Sequence, residues 1–210
     1  MNFKIKLLLI AGMMSLHAHA QTETGVYFSN DRKFREILKN PGNPLEGYPV
    51  MIVKIKASQS GSYFWYLNES KATKKSFFDD HPKDLHAGIY LQEPGGLLPV
   101  ITFKDFAEGL AQPRYLINHC EIADADKDGF PEFYLTYFTD SDGLDAKPLK
   151  VIVYTKKSRT SFQKSKITGW LSFQPEDPYR EEKDQHFKSL PAAVQMKAQK
   201  IIKDAKKELL

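Results

Sequence analysis

The sequence predicts an α+β protein built mainly from antiparallel β-sheet, with one amphipathic helix at its C-terminal end. Short apolar or alternating runs recur along the chain, and segments rich in Gly, Pro, Asn and Ser separate them. A long helical periodicity comes last, between Pro191 and Leu209. The chain has 210 residues, of which 41% are hydrophobic, so it is long enough to bury a substantial core.

The first twenty residues have the parts of a secretory signal peptide. Two lysines precede the apolar run Leu7–Leu16, which is too short to span a bilayer. Ala18-His19-Ala20 fits the small-x-small cleavage rule and places the mature start at Gln21. We therefore expect a periplasmic or secreted protein whose residues 21–210 form a single domain without a transmembrane segment.

Charge and cysteine usage exclude several classes of protein. The full chain carries a net charge of +4, and removal of the two lysines of the leader lowers it, which gives no case for a nucleic-acid binder. Cys120 is the only cysteine, so the exported chain has no internal disulfide. In its expected strand Cys120 shares a face with Leu116 and Ile122, which favours a small buried hydrophobe over a nucleophile or an intermolecular bridge.

The N-terminal half reads as one short helix followed by hairpins. Ser29-Asn30-Asp31 can cap a helix that runs to about Leu38, before the breaker Pro41-Gly42-Asn43-Pro44. The segment Lys71–Asp84 is polar and is expected to be an exposed loop, and Asp105–Leu110 is expected to form one helical turn. The expected strands are Val50–Ala57, Tyr63–Leu67, Ile89–Leu91 and Leu98–Phe103.

The second half centres on a strand with two apolar faces. Glu132–Thr139 places Phe133, Leu135 and Tyr137 on one side and Tyr134 and Phe138 on the other, which predicts a central strand covered on both sides. A charged stretch, 175–188, precedes the final helix. The other strands expected here are Tyr115–Ile122, Leu149–Thr155, Ser161–Ile167 and Gly169–Phe173.

The final helix has a narrow apolar stripe and a lysine-rich remainder. The stripe predicts a terminal helix laid on the sheet, with the lysines in solvent. A basic amphipathic helix on an anionic membrane is the alternative, but the apolar face lacks aromatic insertion residues. The stripe consists of Val194, Ala198, Ile201, Ala205 and Leu209.

The segment Asp124-Ala-Asp126-Lys-Asp128-Gly129-Phe130-Pro-Glu132 is the chemically most specific part of the chain. Calcium takes about six to eight oxygen ligands, and side chains at alternate positions of a tight loop can converge on one ion. The predicted ligands are the carboxylates of Asp124, Asp126, Asp128 and Glu132 and the backbone carbonyl of Phe130, with Gly129 permitting the turn. A plain polar turn is the alternative.

The acidic loop is not an EF-hand. An EF-hand needs a bidentate Glu at loop position 12, whereas that position, counted from Asp124, is Leu135. The acidic residues Asp140, Asp142 and Asp145 form a second cluster, which is expected to lie at the far end of the following strand and to be a solvated turn.

Other combinations of residue types match no catalytic or metal pattern. The spacing of Asp79, Asp80, His81, Asp84 and His86 fits no zinc site, and the phosphate-loop, HExxH and GxSxG motifs are absent. His119 and Cys120 are neighbours in an expected strand and would point to opposite faces. No catalytic residue is therefore assigned, and calcium is the only cofactor that we expect.

The segment 122–154, IADADKDGFPEFYLTYFTDSDGLDAKPLKVIVY, resembles secreted proteins of Gram-negative bacteria labelled surface polysaccharide biosynthesis proteins. The shared features are the DxDxDGxxE loop, similar to FG-GAP-like calcium loops, the aromatic strand after it, the LKVIVY return strand and a C-terminal helix. The resemblance implies envelope or surface-glycan biology, without a known reaction, and carries over only the four carboxylates as metal ligands.

Three functional hypotheses follow. We expect an exported, non-catalytic, calcium-binding β-rich protein of the bacterial cell envelope, linked to surface polysaccharide. A glycan-binding module or an inhibitor of an extracellular enzyme is the alternative, with a glycan or an envelope protein as partner; a glycan-processing enzyme is less favoured. For a binding module, stacking faces would come from exposed members of one aromatic set, although core packing is the expected role of most of its rings. The set consists of Tyr63, Trp65, Tyr66, Tyr90 and Trp170.

Overall fold

The computed structural model describes residues 23–57, 61–72, 83–172, 174 and 177–210. These residues form two antiparallel sheets that pack face to face, with helices on their outer faces. The α+β class, mainly antiparallel sheet with a C-terminal helix, is confirmed. The expected signal peptide lies outside the described residues.

Eleven strands and three α-helices make up the described part of the chain. The helices are α1 (Arg32–Lys39), α2 (Gln185–Lys188) and α3 (Ala192–Leu209). The strands are β1 (Glu23–Phe28), β2 (Tyr48–Ala57), β3 (Gly61–Lys71), β4 (Lys83–Glu93), β5 (Gly96–Asp105), β6 (Gln112–Tyr115), β7 (Glu121–Ala123), β8 (Glu132–Asp140), β9 (Lys147–Ser158), β10 (Ser161–Leu171) and β11 (Arg180–Lys183).

The two sheets differ in how they are connected. Sheet 1 is a meander in the order β1-β2-β3-β4-β5. Sheet 2 has the order β11-β10-β9-β8-β6, and β7 pairs with β8 as well. The inter-sheet core contains Trp65 of sheet 1, whose indole lies edge-on to Phe133 of sheet 2 with 5.6 Å between ring centroids. Because aromatic groups from both sheets interdigitate there, neither sheet buries its inner face alone.

The outer face of each sheet carries a helix. On sheet 1, Phe34 and Ile37 of α1 pack in a small core with Ile52, Phe64 and Tyr66. On sheet 2, α3 buries Val194, Ala198, Ile201 and Ala205, which confirms the helix as a structural element of the sheet. Among the described residues, no helix is long and apolar enough to cross a membrane.

Strand β8 is central, as its sequence predicts. Phe133, Leu135 and Tyr137 enter the inter-sheet core, whereas Tyr134 and Phe138 enter the core beneath α3. A strand covered on both sides in this way has large apolar residues at consecutive positions, because alternate side chains point to opposite faces.

The expected strand Tyr115–Ile122 is wrong. Strand β6 ends at Tyr115, a turn of 3₁₀ helix follows at Ile117–His119, and β7 starts at Glu121. The break is stabilised around Thr136 of β8, whose hydroxyl donates to the His119 carbonyl at 2.6 Å and whose backbone N–H donates to Cys120 Sγ at 3.4 Å. The alternation of side chains between the two faces of a strand is therefore interrupted between β6 and β7.

This break also corrects the expected environment of the only cysteine. Cys120 and Ile122 pack against the inter-sheet core, whereas Leu116 belongs to the core beneath α3. Cys120 is thus partly buried, as expected, but it does not share a face with Leu116.

Other element boundaries also differ from expectation. Lys71 ends β3 and Asp84 lies in β4, so both ends of the segment expected to be a loop belong to strands, while residues 73–82 fall outside the described part of the chain. The expected helical turn Asp105–Leu110 is wrong, because β5 extends to Asp105 and Glu108 forms a bridge with Ala111 around Gly109, where φ is +59°. A single strand, β10, runs through Ser161–Leu171 where two strands were expected, while Phe173 falls outside the described residues. Strands β1 and β11 were not expected.

Candidate metal centre

The acidic segment forms the loop of the β7–β8 hairpin. Ala123 and Glu132 are paired across the two strands, so the loop between them is closed at its base by sheet hydrogen bonding. Sequence reasoning placed Glu132 at the start of a strand, and the structure confirms this position. The strand pairing brings the last acidic residue back next to the first.

Four carboxylates converge at this loop. Asp124, Asp126, Asp128 and Glu132 each offer an oxygen, and these oxygens all lie within 4.8 Å of one another. An ion placed among them at about 2.3–2.6 Å from each oxygen would have the distances typical of calcium. The arrangement can therefore hold a divalent cation and is compatible with calcium, without being specific for it.

The three aspartates shape the loop through its backbone N–H groups. Asp124 accepts from Gly129 N–H at 3.1 Å, Asp126 from Asp128 N–H at 3.3 Å, and Asp128 from Phe130 N–H at 2.8 Å. Such contacts leave the second oxygen of each carboxylate for another partner. Asp124 and Asp128 are exposed, while Asp126 is half-buried.

Two residues of the loop have positive φ. Gly129 has φ +91°, and Lys127 has φ +62°, which is uncommon for a residue with a Cβ atom. These dihedrals turn the chain sharply on either side of Asp128, which allows the loop to bring its carboxylates together.

Glu132 differs from the aspartates because it is buried. Its side chain is 3% exposed and accepts hydrogen bonds from Ala125 N–H at 2.9 Å and from the Tyr134 hydroxyl at 3.1 Å. Burial raises the pKa of Glu132 to about 7, with a further increase from the negative charges of Asp126 and Asp124, although the two hydrogen bonds act in the opposite direction. A buried carboxylate with acidic neighbours needs a positive charge to stay ionised at low cost.

Phe130 connects the loop to the inter-sheet core. The ammonium of Lys156 lies 3.8 Å from the centroid of the Phe130 ring. Phe130 and Pro131 line one small cavity together with Tyr63, Phe133 and Phe162 at the end of the sandwich. The role of the Phe130 carbonyl as a ligand stays a prediction, but its ring has a packing role that the sequence did not indicate.

The second acidic cluster does not join the first. Asp140 ends β8, at the opposite end from Glu132, and pairs with Lys147 at 2.8 Å. That ammonium and the Ser141 N–H lower the pKa of Asp140, against the effect of burial. Asp142 and Asp145 are in the turn that follows, with Asp142 exposed.

The candidate stacking aromatics do not form an exposed platform. Tyr63, Trp65, Tyr66 and Tyr90 are buried, which confirms core packing as the role expected for most of these rings and leaves these four without an exposed stacking face. Trp170 is half-buried, and the Arg180 guanidinium lies 4.9 Å from its ring centroid. The strands that carry these rings are covered by packed layers on both sides. Their aromatic residues are therefore explained by core packing.

The segment that contains His81 and His86 also differs from expectation. Asp84 and His86 lie in β4 and are buried, whereas Asp79, Asp80 and His81 fall outside the described residues. His86 contacts Ser70 of β3, a polar pair that sequence reasoning missed. The signal in the sequence was the side-chain alternation of β3. The face that carries Phe64 and Tyr66 continues with polar residues at every second position.

The structure thus defines a helix-covered β-sandwich with an acidic, metal-compatible hairpin loop. No protein-family model, curated protein or solved structure matches this chain.

Proposed function

We propose that this protein is an exported, calcium-stabilised β-sandwich of the bacterial cell envelope, in which the ion orders the β7–β8 hairpin and takes part in no reaction. The observation that carries the proposal is the convergence of four carboxylate oxygens within 4.8 Å, one of them from buried Glu132. The negative charges of these carboxylates repel one another unless a cation neutralises them.

Calcium suits the chemistry of this loop. The ligands offered are all oxygens, and calcium accepts irregular arrangements of about six to eight of them. Magnesium demands a near-ideal octahedron and keeps several waters, so a dense carboxylate group favours the larger ion. An exported protein would also meet more calcium than a protein of the cytoplasm.

The position of the loop supports a structural role for the ion. Ala125 packs against the core beneath α3, while Phe130 and Pro131 line the end of the inter-sheet core. The ligand-bearing residues alternate with these packing residues. Ordering the carboxylates therefore fixes side chains that contribute to both cores of sheet 2.

The location and biological setting rest on the sequence. The predicted leader supports export, and the resemblance over residues 122–154 supports a link to surface polysaccharide. The partner suggested by this resemblance is a glycan or another envelope protein.

The test of the calcium role is thermal unfolding with and without the ion. We expect calcium at 100 times its Kd to stabilise the wild type by about 2.7 kcal/mol, which corresponds to roughly 5–10 °C in Tm for a chain of this size. Asp126→Ala should lose most of this increase, because it removes one converging oxygen. Asp142→Ala, an acidic residue outside the cluster, should keep it.

Identical melting curves for the wild type in calcium and in chelator would contradict the proposal and leave an ordinary acidic turn. An equal loss in both variants would show a general charge effect instead of a site.

A further inference from the structure

A group of polar side chains lies on the outer face of sheet 1, away from the acidic hairpin of sheet 2. Asn68 and Ser70 of β3 and Asp84 and His86 of β4 are on this face, with Asn68 opposite His86 and Ser70 opposite Asp84. The same face is apolar further along β3, where Phe64 and Tyr66 lie in the core with α1. A buried polar group at the end of an apolar face requires a reason.

The closest contact in this group joins a hydroxyl to an imidazole. Ser70 Oγ lies 2.9 Å from His86 Nε2. His86 is 1% exposed, whereas Ser70 is half-buried, so Ser70 is the more accessible residue of the pair. This separation lies within the range of about 2.6–3.2 Å that a nucleophile and its general base require.

The other imidazole nitrogen and a nearby amide oxygen are unsatisfied. Within the described residues, His86 Nδ1 and Asn68 Oδ1 are buried without a hydrogen-bond partner. Each buried polar atom left unpaired costs about 1–3 kcal/mol, and such atoms concentrate at functional sites or beside bound water. Ser70 Oγ can donate to Nε2 only when the ring proton is on Nδ1. A general base at Nε2 requires this same tautomer.

A fixed loop forms one wall beside Ser70. The Asn68 amide donates to Glu46 O at 3.0 Å and to Asn43 Oδ1 at 3.0 Å, which holds residues 43–47 against β3. Gly47 has φ +84°, and a Cβ there would lie 2.4 Å from Glu69 O and 2.9 Å from Ser70 Cβ. Glycine therefore permits the close approach of this loop to the serine.

Charged and aromatic groups surround the imidazole. Phe106, which is 50% exposed, lies edge-on to His86 with 6.3 Å between ring centroids, and offers an apolar contact to a ligand. Burial lowers the pKa of His86, with Lys104 acting in the same direction and Glu46 and Asp84 opposing it. The imidazole is therefore neutral at pH 7, the form that accepts a proton.

We propose that Ser70 and His86 form a nucleophile–base pair that accepts an acyl group from a small activated ester. This site would give the protein a hydrolytic activity beyond the calcium-stabilised role, and it depends on neither the ion nor the acidic loop.

The reaction follows from the contacts. Ser70 Oγ bonds to the ester carbonyl carbon while its proton passes to His86 Nε2; the ester C–O bond then breaks, and the leaving alkoxide takes that proton. Water, deprotonated by Nε2, attacks the acyl-serine, and the carboxylic acid leaves as Ser70 regains its proton. Lys104, opposite His86 on β5, carries its ammonium on the same face, 3.7 Å from a carboxylate oxygen of Glu46.

The test is covalent labelling of the full-length protein by a fluorophosphonate, followed by intact mass and peptide mapping. We expect one adduct on Ser70 of the wild type, and none on that peptide in Ser70→Ala. His86→Gln should slow labelling by about 10²-fold or more, the usual contribution of a positioned base. Ser62→Ala, a half-buried serine on the same face of β3, should label at the wild-type rate.

The wild type alone can overturn the proposal, even if a variant does not fold. A folded wild type without an adduct on Ser70, or with its adduct on another residue, would contradict it. Equal labelling rates of folded wild type and His86→Gln would do the same. The pH profile is a further readout: labelling should be constant above pH 7 and fall at acid pH, because protonated His86 is no base.

Discussion

At the scale of single residues, the four carboxylates of the acidic loop are not equivalent. The three aspartates are exposed or half-buried and bond to backbone N–H groups of the loop, so they set its shape. Glu132 is buried at the start of β8 and bonds to Ala125 N–H and Tyr134. The aspartates are thus the carboxylates that can adapt to an ion, whereas Glu132 connects the loop to the sheet.

The raised pKa of Glu132 predicts an unusual pH dependence of folding stability when a chelator keeps the loop free of metal. Burial raises its pKa from 4.5 to about 7, so between these values the folded state retains a proton that the unfolded state has released. Stability is therefore highest below the unfolded pKa and falls as pH rises through about 7. At about 1.36 kcal/mol per pKa unit the loss is on the order of 3 kcal/mol.

The measurement is urea unfolding in chelator at pH 5 and pH 8. Glu132→Gln, which keeps an acceptor oxygen but does not ionise, should flatten the difference. Saturating calcium should reduce it in the wild type, since the ion compensates the charge. A wild type that gains stability from pH 5 to pH 8 in chelator, by an amount unchanged in Glu132→Gln, would contradict this assignment.

At the scale of elements, α3 connects to the same region of sheet 2 that carries the acidic loop. Lys197 forms an ion pair with Glu121 of β7, and a carboxylate oxygen of Glu208 lies within hydrogen-bond distance, 2.8 Å, of His119 Nε2 in the preceding 3₁₀ turn. Surface ion pairs contribute little energy, so these contacts orient the helix, and its buried stripe supplies the stability.

The buried stripe predicts a large difference between two residues of α3. Ile201 is 2% exposed, whereas Met196 is 66% exposed. Ile201→Ala should lower the free energy of unfolding by about 2–5 kcal/mol, because it leaves a cavity beneath the helix. Met196→Ala should change it by about 0.5 kcal/mol or less. Urea unfolding of both variants measures this, and equal effects would show that α3 does not pack as described.

The elements best predicted from sequence are those with strong local patterns. The two apolar faces of β8 and the stripe of α3 follow from residue periodicity alone. The edge strands β1 and β11 were missed because much of each is exposed, which weakens the alternation that identifies a strand. The strand expected at Tyr115–Ile122 failed because Thr136, distant in sequence, stabilises a break there.

The candidate sites show the same limit. The acidic loop was predictable because its four carboxylates lie within nine consecutive residues of sequence. Ser70 and His86 are sixteen residues apart and meet only through the pairing of β3 with β4. Local patterns therefore reveal sites that one loop supplies, whereas sites assembled by strand register require the fold.

At the scale of the whole molecule, the three cores share strands. Sheet 1 contributes its inner face to the inter-sheet core and its outer face to the core with α1. Sheet 2 contributes its inner face to the inter-sheet core and its outer face to the core beneath α3. Since β8 contributes to two cores and starts at Glu132, stabilisation by an ion at the loop is expected to reach both sheets.

This connectivity predicts that calcium shifts the unfolding of the entire sandwich. The chain has two tryptophans, so Trp170→Phe leaves Trp65, which packs against Phe133 across the sheets, as the fluorescence reporter. In this variant we expect Trp65 fluorescence and far-UV circular dichroism to give coincident thermal transitions, both in calcium and in chelator. Calcium should move the two curves together by the same roughly 5–10 °C. If calcium moved only part of the circular dichroism signal while the Trp65 transition stayed in place, the ion would stabilise the hairpin locally, and sheet 1 would unfold independently of the metal centre.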